Sequence, residues 1–196
     1  MLLNKLKPYK VILASNSPRR KELLADLGIE FETRTIKGID ESYPSNLPVH
    51  EIAEYISHKK AKAYQQDMAR DEIIITADTV VILDDKVLGK PRDKDEARRM
   101  LTELSGKTHK VITGVTITTS SLKNSFSAVT EVEFAPLSQE DIDFYVEQYQ
   151  PLDKAGAYGI QEWIGCMGVR HINGSFYNVM GLPLHRLYNE LDQLLP

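Results

Sequence analysis

The segment Ser17-Pro18-Arg19-Arg20-Lys21 places three consecutive cations at the predicted start of a helix, where they could hold a bound anion. Ser17 is a favoured N-cap and Pro18 suits the first helical position, so the helix is predicted to begin at Pro18. The helix dipole favours acidic residues there, so these cations do not serve local stability. Backbone N–H groups and two guanidinium groups would converge on a phosphate. The alternative is that the cations pair with acidic residues elsewhere in the chain.

An aspartate interrupts the apolar strand pattern of residues 73–83. The period of two puts Asp78 on the face shared by Ile74, Val80 and Ile82. A buried carboxylate must be compensated by a metal, a cation or several hydrogen-bond donors. Asp78 is therefore a candidate metal ligand or general base. The alternative is an ordinary exposed aspartate at a strand end that reaches solvent early.

Two lysines are placed to bind a phosphate group. Lys60 falls in the middle of the apolar stripe of a predicted helix at about 48–65, so it either extends to the rim of a cleft or presents its ammonium to a ligand. Lys59 and Lys62 are predicted to point away. Lys90 follows a predicted hairpin strand at a sharp turn, which would hold it in position, although a solvated loop lysine is the alternative.

Gln161 lies in a glycine-rich segment that has little regular pattern. Glycine allows a ligand to approach the backbone closely, and the glutamine amide offers both a donor and an acceptor for the edge of a nucleobase. Glycine-rich turns also arise for purely local reasons. Trp163 is predicted to pack in the protein rather than stack on a base.

The order of predicted elements mixes strands and helices, which indicates an α/β fold with a mixed β-sheet. No internal repeat or linker is visible, and one compact unit is expected. The predicted strands cover 10–14, 31–36, 73–83, 86–88, 109–119 and 125–134, and the predicted helices cover about 18–27, 48–65, 93–105, 138–149 and 183–195. The pair Asn173-Gly174 predicts a further hairpin.

Composition narrows the class of protein. The chain has 196 residues, 42% of them hydrophobic, enough for one core or two lobes. A single cysteine, Cys166, excludes an internal disulfide framework, and neither a signal-peptide pattern nor a run of roughly 20 apolar residues is visible. We therefore expect a cytoplasmic protein that binds no membrane.

Charge and missing motifs exclude other functions. The net charge of −4 and pI near 5.8 disfavour a nucleic-acid partner and leave small anionic ligands open. The five histidines lack metal-ligand spacing, and no Walker loop, GxGxxG or GxSxG motif occurs, which argues against kinase-like and serine-hydrolase chemistry.

Five motifs occur in order along nearly the whole chain: LASNSPRR at 13–20, ADTV at 77–80, LGKP at 88–91, DKAGAYGIQ at 153–161 and VMGLP at 179–183. Together they resemble the Maf family of nucleoside triphosphate pyrophosphatases. The resemblance implies a single Maf-like domain over residues 1–196 that forms a homodimer. It also implies an inosine-triphosphatase-like α/β fold, in which a curved mixed sheet with flanking helices forms two lobes around a cleft.

The resemblance also implies roles for individual residues. Asp78 would be the proton acceptor, or metal-bound carboxylate, that readies a water molecule, and Glu41 would help bind a divalent cation such as Mg²⁺ or Mn²⁺. The residues expected to bind substrate are Ser15, Arg19, Arg20, Lys60, Thr79, Lys90 and Gln161. Of these, Arg20, Thr79 and Gln161 would tune the choice of base.

The expected activity is hydrolysis of a nucleoside triphosphate to the monophosphate and pyrophosphate. The motifs are similar to those of the dTTP- and UTP-preferring branch, and modified pyrimidine nucleotides are also candidate substrates. Glu162-Trp163 departs from the family pattern, in which many members have glycine and small residues. The alternative function is a nucleotide-binding regulator of cell division or septum formation that has no significant turnover.

Overall fold

A computed structural model describes residues 1–196 and contains eight α-helices and seven β-strands. The helices are α1 Leu2–Leu6, α2 Pro18–Asp26, α3 Ile52–Tyr64, α4 Lys94–Leu104, α5 Gln139–Tyr149, α6 Trp163–Gly168, α7 Phe176–Met180 and α8 Leu184–Leu194. The strands are β1 Lys10–Leu13, β2 Glu32–Thr33, β3 Glu72–Leu83, β4 Lys86–Leu88, β5 Thr108–Thr118, β6 Lys123–Phe134 and β7 Val169–Asn173. Each of the helices is too short or too polar to cross a bilayer.

The strands form one mixed sheet in the order β2-β1-β3-β5-β6-β7, and β4 pairs with β3. Strand β1 is parallel to both β2 and β3, with Ile12 opposite Ile74, whereas the β3–β4 and β6–β7 pairs are antiparallel. The predicted mixed α/β fold is therefore confirmed. Strand β2 is shorter than predicted: it has two residues, both exposed, at the edge of the sheet.

The chain divides into two compact units, although its sequence contains no linker. The first unit comprises Met1–Asp78, Thr113–Ala128 and Gly181–Pro196, and the second comprises Thr79–Ile112 and Val129–Met180. Strands β3, β5 and β6 each contribute residues to both units. The chain passes between the units within these three strands and once more between Met180 and Gly181, so no flexible linker composition marks the boundary.

In the first unit, helix α3 is held against strand β5 by close backbone approach. A Cβ atom on Gly114 would lie 2.2 Å from the backbone nitrogen of Glu54, so only glycine fits there. One helical turn further, the buried Ser57 hydroxyl lies 2.9 Å from the Thr116 hydroxyl, and Thr76 donates a hydrogen bond to the Ser57 carbonyl at 2.7 Å. These contacts fix the helix that carries Lys60.

In the second unit, helices α4 and α5 pack around a core that includes Leu101, Phe134 and Tyr145. The Asp93 side chain caps α4 by accepting a hydrogen bond from the Glu96 backbone N–H at 2.7 Å. Both helix starts are therefore confirmed, since Ser138 also caps α5 through the full capping box.

The predicted hairpin at Asn173-Gly174 is wrong. Strand β7 ends at Asn173, and the chain continues into helix α7. Gly174 has a φ of 132°, and a Cβ atom on it would lie 2.7 Å from the Thr130 hydroxyl oxygen. The glycine is therefore required by close approach to strand β6 rather than by a two-residue hairpin turn.

A buried histidine in the second unit makes stability depend on pH. His109 is 1% exposed, with its Nε2 atom 2.7 Å from the Tyr158 hydroxyl, and burial lowers its pKa to about 4. The unfolded chain, whose histidine pKa is near 6.5, therefore binds more protons between these values, so stability falls as pH drops from 6.5 towards 4. We expect His109 to account for about 2 kcal/mol of the stability lost between pH 7 and 5.

Urea denaturation at pH 7 and pH 5 measures this contribution. The His109→Gln variant should lose about 2 kcal/mol less than the wild type over this range, whereas the exposed control His171→Gln should match the wild type. Equal pH dependence of the wild type and His109→Gln would contradict the assignment.

Candidate active site

The centre of the site in the first unit is an ion pair between strand β3 and helix α3. The Lys60 ammonium lies 2.7 Å from Asp78 Oδ1, and the two side chains are only 13% and 15% exposed. Asp78 is therefore not an ordinary exposed aspartate, and Lys60 directs its ammonium to this carboxylate instead of extending into water. The pair puts both a carboxylate and a cation at one largely buried point.

Glu41 joins this pair from the loop that precedes helix α3. Its Oε1 atom lies 3.0 Å from the same Lys60 ammonium. The ammonium therefore contacts the two carboxylates that were predicted to bind a metal. Two carboxylates face one ammonium, so the cluster carries a net negative charge that a metal cation could neutralise.

Lys59 holds the same loop, a role that sequence reasoning missed. Its ammonium lies 2.6 Å from Asp40 Oδ2 and 2.9 Å from the Ser42 carbonyl oxygen. Hydrogen bonds from Lys59 and then from Ser42 hold the pKa of the Asp40 carboxyl well below its usual range. Lys59 was predicted to point away, but consecutive lysines on α3 face consecutive acidic residues in the loop. The pairs Lys59-Lys60 and Asp40-Glu41 were the signal in the sequence that could have indicated these contacts.

Arg20 lies beside Asp78 and is anchored by backbone carbonyls. Its Nε donates to the Gly181 carbonyl at 2.8 Å and its Nη1 to the Ala77 carbonyl at 2.9 Å. Burial lowers the pKa of Arg20, and the negative charge of Asp78 opposes that shift. Arg20, at the start of α2, thus lies close to the acid on β3, and its Nε and Nη1 atoms donate to carbonyls of the protein itself.

The start of helix α2 is built as the sequence predicted. Ser17 is the N-cap and accepts a hydrogen bond from the Arg20 backbone N–H at 3.5 Å, with Pro18 in the first turn. The buried Ser15 hydroxyl accepts a hydrogen bond from the Ser17 backbone N–H at 3.2 Å. Ser15 therefore fixes the turn that leads into the helix, while Arg19 is half-buried beside Arg20.

Asp78 and Glu41 are the residues of this site that could hold a divalent cation. Nowhere does the chain gather three or more histidine, cysteine or carboxylate side chains able to hold a metal. Mg²⁺ is commonly bound by one or two carboxylates together with substrate phosphates and water. Asp78 and Glu41, which share the Lys60 ammonium, supply such a pair.

The other predicted residues, Thr79, Lys90 and Gln161, belong to the second unit. Thr79 is half-buried and follows Asp78 on β3. Lys90 is exposed, but its backbone is fixed because the preceding Gly89 carbonyl accepts a hydrogen bond from the Gly156 N–H at 3.0 Å. A cavity of about 330 Å³ at this turn is lined by four cationic side chains and by two carboxylates that pair with two of them: Lys86 with Glu103, Arg92 with Glu96, and also Lys90 and Arg99.

Gln161 is exposed in a tight turn. Trp163, two residues on, makes an edge-to-face contact with Phe144, with 4.9 Å between ring centroids. It also packs against the core of the second unit. The prediction that this tryptophan packs in the protein is therefore confirmed.

The family model of Maf-like proteins matches residues 10–194, nearly the full length of the chain. The chain belongs to the Maf family. This Maf protein is 61% identical over 193 residues to the dTTP/UTP pyrophosphatase of Phocaeicola vulgatus, covering 98% of this chain and 100% of the relative. It is 56% identical to the dTTP/UTP pyrophosphatase of Bacteroides thetaiotaomicron over the same shares of both chains.

A solved structure supports the fold of this Maf protein. The Ham1 protein of Staphylococcus aureus has a TM-score of 0.54 and 14% sequence identity, covering 94% of this chain and 99% of that chain. At this identity the similarity concerns the fold alone. It confirms the inosine-triphosphatase-like α/β architecture that the sequence motifs implied.

Proposed function

We propose that this Maf protein is a nucleotide pyrophosphohydrolase that converts dTTP and UTP to the monophosphate and pyrophosphate. The observation that carries this proposal is the largely buried Lys60–Asp78 pair, with Glu41 on the same ammonium and Arg20 beside it. The relatives named dTTP/UTP pyrophosphatase match along their whole length, which supports the substrate class.

In this proposal Asp78 accepts a proton from water at one carboxylate oxygen as that water attacks the α-phosphorus. The bond from the α-phosphorus to the bridging oxygen breaks, and its electron pair stays on the departing pyrophosphate. A divalent cation held by Asp78 and Glu41 would neutralise phosphate charge and polarise the phosphorus–oxygen bonds.

Cationic side chains would hold the triphosphate. Arg19, Arg20, Lys60 and Lys90 supply the positive charge for its oxygens. Lys60 contacts Asp78 before substrate arrives, so it would also keep the carboxylate in place. Gln161, Thr79 and Arg20 would select the base. The proposed substrates also include modified pyrimidine nucleotides.

The proposal includes the setting in which the enzyme works. We place it in the cytoplasm as a homodimer that binds neither nucleic acid nor membrane. The net charge of −4 disfavours a nucleic-acid partner, and the single cysteine is consistent with a reducing compartment. Analytical ultracentrifugation would test the dimer directly, and a sedimentation coefficient of a monomer at micromolar concentration would contradict it.

Pyrophosphate release tests the activity. The purified chain should release pyrophosphate from dTTP and UTP faster than from the other common nucleotides, and only when Mg²⁺ or Mn²⁺ is present. A thermal shift with nucleotide but no pyrophosphate would instead favour the regulator of cell division. Pyrophosphate release that survives chelation of the metal would contradict the proposed cofactor.

Replacing Arg20 tests the anion site. The Arg20→Ala variant should raise KM for dTTP and UTP about tenfold and alter base preference, with a smaller effect on kcat. It should also lower the free energy of unfolding by about 1–3 kcal/mol, because the Gly181 and Ala77 carbonyls lose a donor. The exposed Arg70→Ala is the control. Unchanged substrate kinetics in Arg20→Ala would contradict the anion site.

A further inference from the structure

Gln161 is carried on a four-residue turn that runs from Gly159 to Glu162. The Glu162 backbone N–H donates to the Gly159 carbonyl at 3.0 Å, which closes the turn just before helix α6. Gly159 and Ile160 are buried, whereas Gln161 is exposed. The orientation of the glutamine amide therefore depends on whatever holds the two ends of this turn.

Tyr145 of helix α5 holds both ends of the turn with one hydroxyl. It accepts a hydrogen bond from the Gly159 N–H at 2.9 Å and donates one to the Glu162 carboxylate. The Tyr145 ring is fully buried in the core of the second unit, so its hydroxyl is rigidly placed. A single fixed atom thus joins the first and last residues of the turn.

Lys154 completes this arrangement from the other side. Its ammonium lies 3.1 Å from Glu162 Oε1, and its side chain is only 9% exposed. The second carboxylate contact of this ammonium is Asp153 Oδ1, at 2.8 Å. Glu162 therefore uses one oxygen for Tyr145 and the other for Lys154, which leaves its carboxylate little freedom.

The backbone of the turn approaches these groups closely at Gly159. A Cβ atom on Gly159 would lie 2.8 Å from the Glu162 carboxyl carbon and 3.0 Å from Lys154 Cε. The backbone of the turn is thus packed directly against the charged pair. The charged pair is therefore in a position to affect the conformation of the turn that carries Gln161.

We propose that Tyr145, Lys154 and Glu162, the turn clamp, are positioning residues that orient the Gln161 amide and so set the preference for dTTP and UTP. The inference rests on the proposed function, in which Gln161 contacts the pyrimidine base. A hydrogen-bonding group discriminates between bases only when its donor and acceptor are fixed in direction. The carboxylate of Glu162 is what joins Tyr145 to Lys154, so the clamp depends on an acidic residue at this position.

Selectivity kinetics of two variants test the clamp. Tyr145→Phe removes only the hydroxyl, and Glu162→Gln keeps the shape but removes the charge. Each should lower the ratio of kcat/KM for UTP over CTP about tenfold, mainly through KM for UTP. Inhibition by inorganic triphosphate, which has no base, should keep its wild-type constant. A general structural defect would change that constant as well.

Matched controls lie on the same helix. Tyr149, whose ring stacks on that of Tyr145 at 5.1 Å between centroids, tests loss of a hydroxyl outside the clamp, and the exposed Glu147 tests loss of a carboxylate. Tyr149→Phe and Glu147→Gln should keep the wild-type UTP:CTP ratio. If one clamp variant melts far below its control, the UTP:CTP ratio of the other clamp variant decides the test.

A double-mutant cycle with Gln161→Ala identifies the route of the effect. Adding Tyr145→Phe to Gln161→Ala should cause no further loss of the UTP:CTP ratio, because the clamp acts through Gln161. An unchanged ratio in both clamp variants, or a full further loss in the Gln161→Ala background, would overturn the inference. A wild-type protein that releases no pyrophosphate would instead overturn the proposed function.

Discussion

Replacing Asp78 with asparagine is expected to lower kcat for dTTP and UTP at least about 1,000-fold while the protein stays folded. Asparagine has nearly the same shape, and its amide oxygen can still accept a hydrogen bond from Lys60, which lies 2.7 Å from the wild-type carboxylate. It cannot take a proton from water, and it is a weak ligand for a divalent cation. Pyrophosphate release under saturating substrate measures the loss.

Two controls separate this catalytic effect from damage to the fold. Asp85→Asn, in the exposed turn between β3 and β4, should keep the wild-type rate. The melting temperature of Asp78→Asn should stay within a few degrees of the wild-type value. Turnover of Asp78→Asn within tenfold of the wild type would show that Asp78 is neither the proton acceptor nor an essential metal ligand.

The largest expected effect on stability comes from Gly114→Ala. The added Cβ would lie 2.2 Å from the Glu54 nitrogen and 2.3 Å from the Ala53 carbonyl carbon, both backbone atoms of helix α3. Backbone cannot rotate away as a side chain can, so the helix must shift along its length. We expect a loss of about 4 kcal/mol or more in the free energy of unfolding.

Thermal denaturation measures this prediction. Gly114→Ala should lower the melting temperature by at least about 10 °C. Gly89→Ala is the matched control, because no atom lies within 4 Å of its added Cβ and its backbone needs no positive φ. If Gly114→Ala had the same melting temperature as Gly89→Ala, the close approach of α3 to β5 would be wrong. The position of Lys60 on α3 would then be wrong as well.

Local signals in the sequence predicted where elements begin. Ser17 was predicted as a helix cap, and Asp93 and Ser138 stand at the first positions of two predicted helices; each of the three side chains accepts a hydrogen bond from the first turn of its helix. Capping depends on residues three positions apart, so a single sequence contains all the information it needs. The hairpin predicted at Asn173-Gly174 was wrong because the glycine is required by its close contact with Thr130, more than 40 residues earlier in the chain.

For the candidate site too, local sequence patterns identified residues but not their contacts. Asp78 and Lys60 were each recognised because a charged residue interrupted an apolar pattern, which is a property of neighbouring positions along the chain. That the two side chains contact each other, and that Glu41 shares the same ammonium, could not be read from periodicity. Those contacts join residues 18 and 19 positions apart on different elements.

The sequence by itself determined the starts of helices α2, α4 and α5, the mixed α/β class and the family, and it singled out the charged residues that we propose for the site. Only the tertiary structure decided which groups these side chains contact. Lys59 binds the loop before α3, Arg20 donates to two backbone carbonyls, and Tyr145 contacts both ends of the Gln161 turn. The physical reason is range. Capping and periodicity act within one or two turns of chain, whereas these hydrogen bonds depend on how distant segments pack.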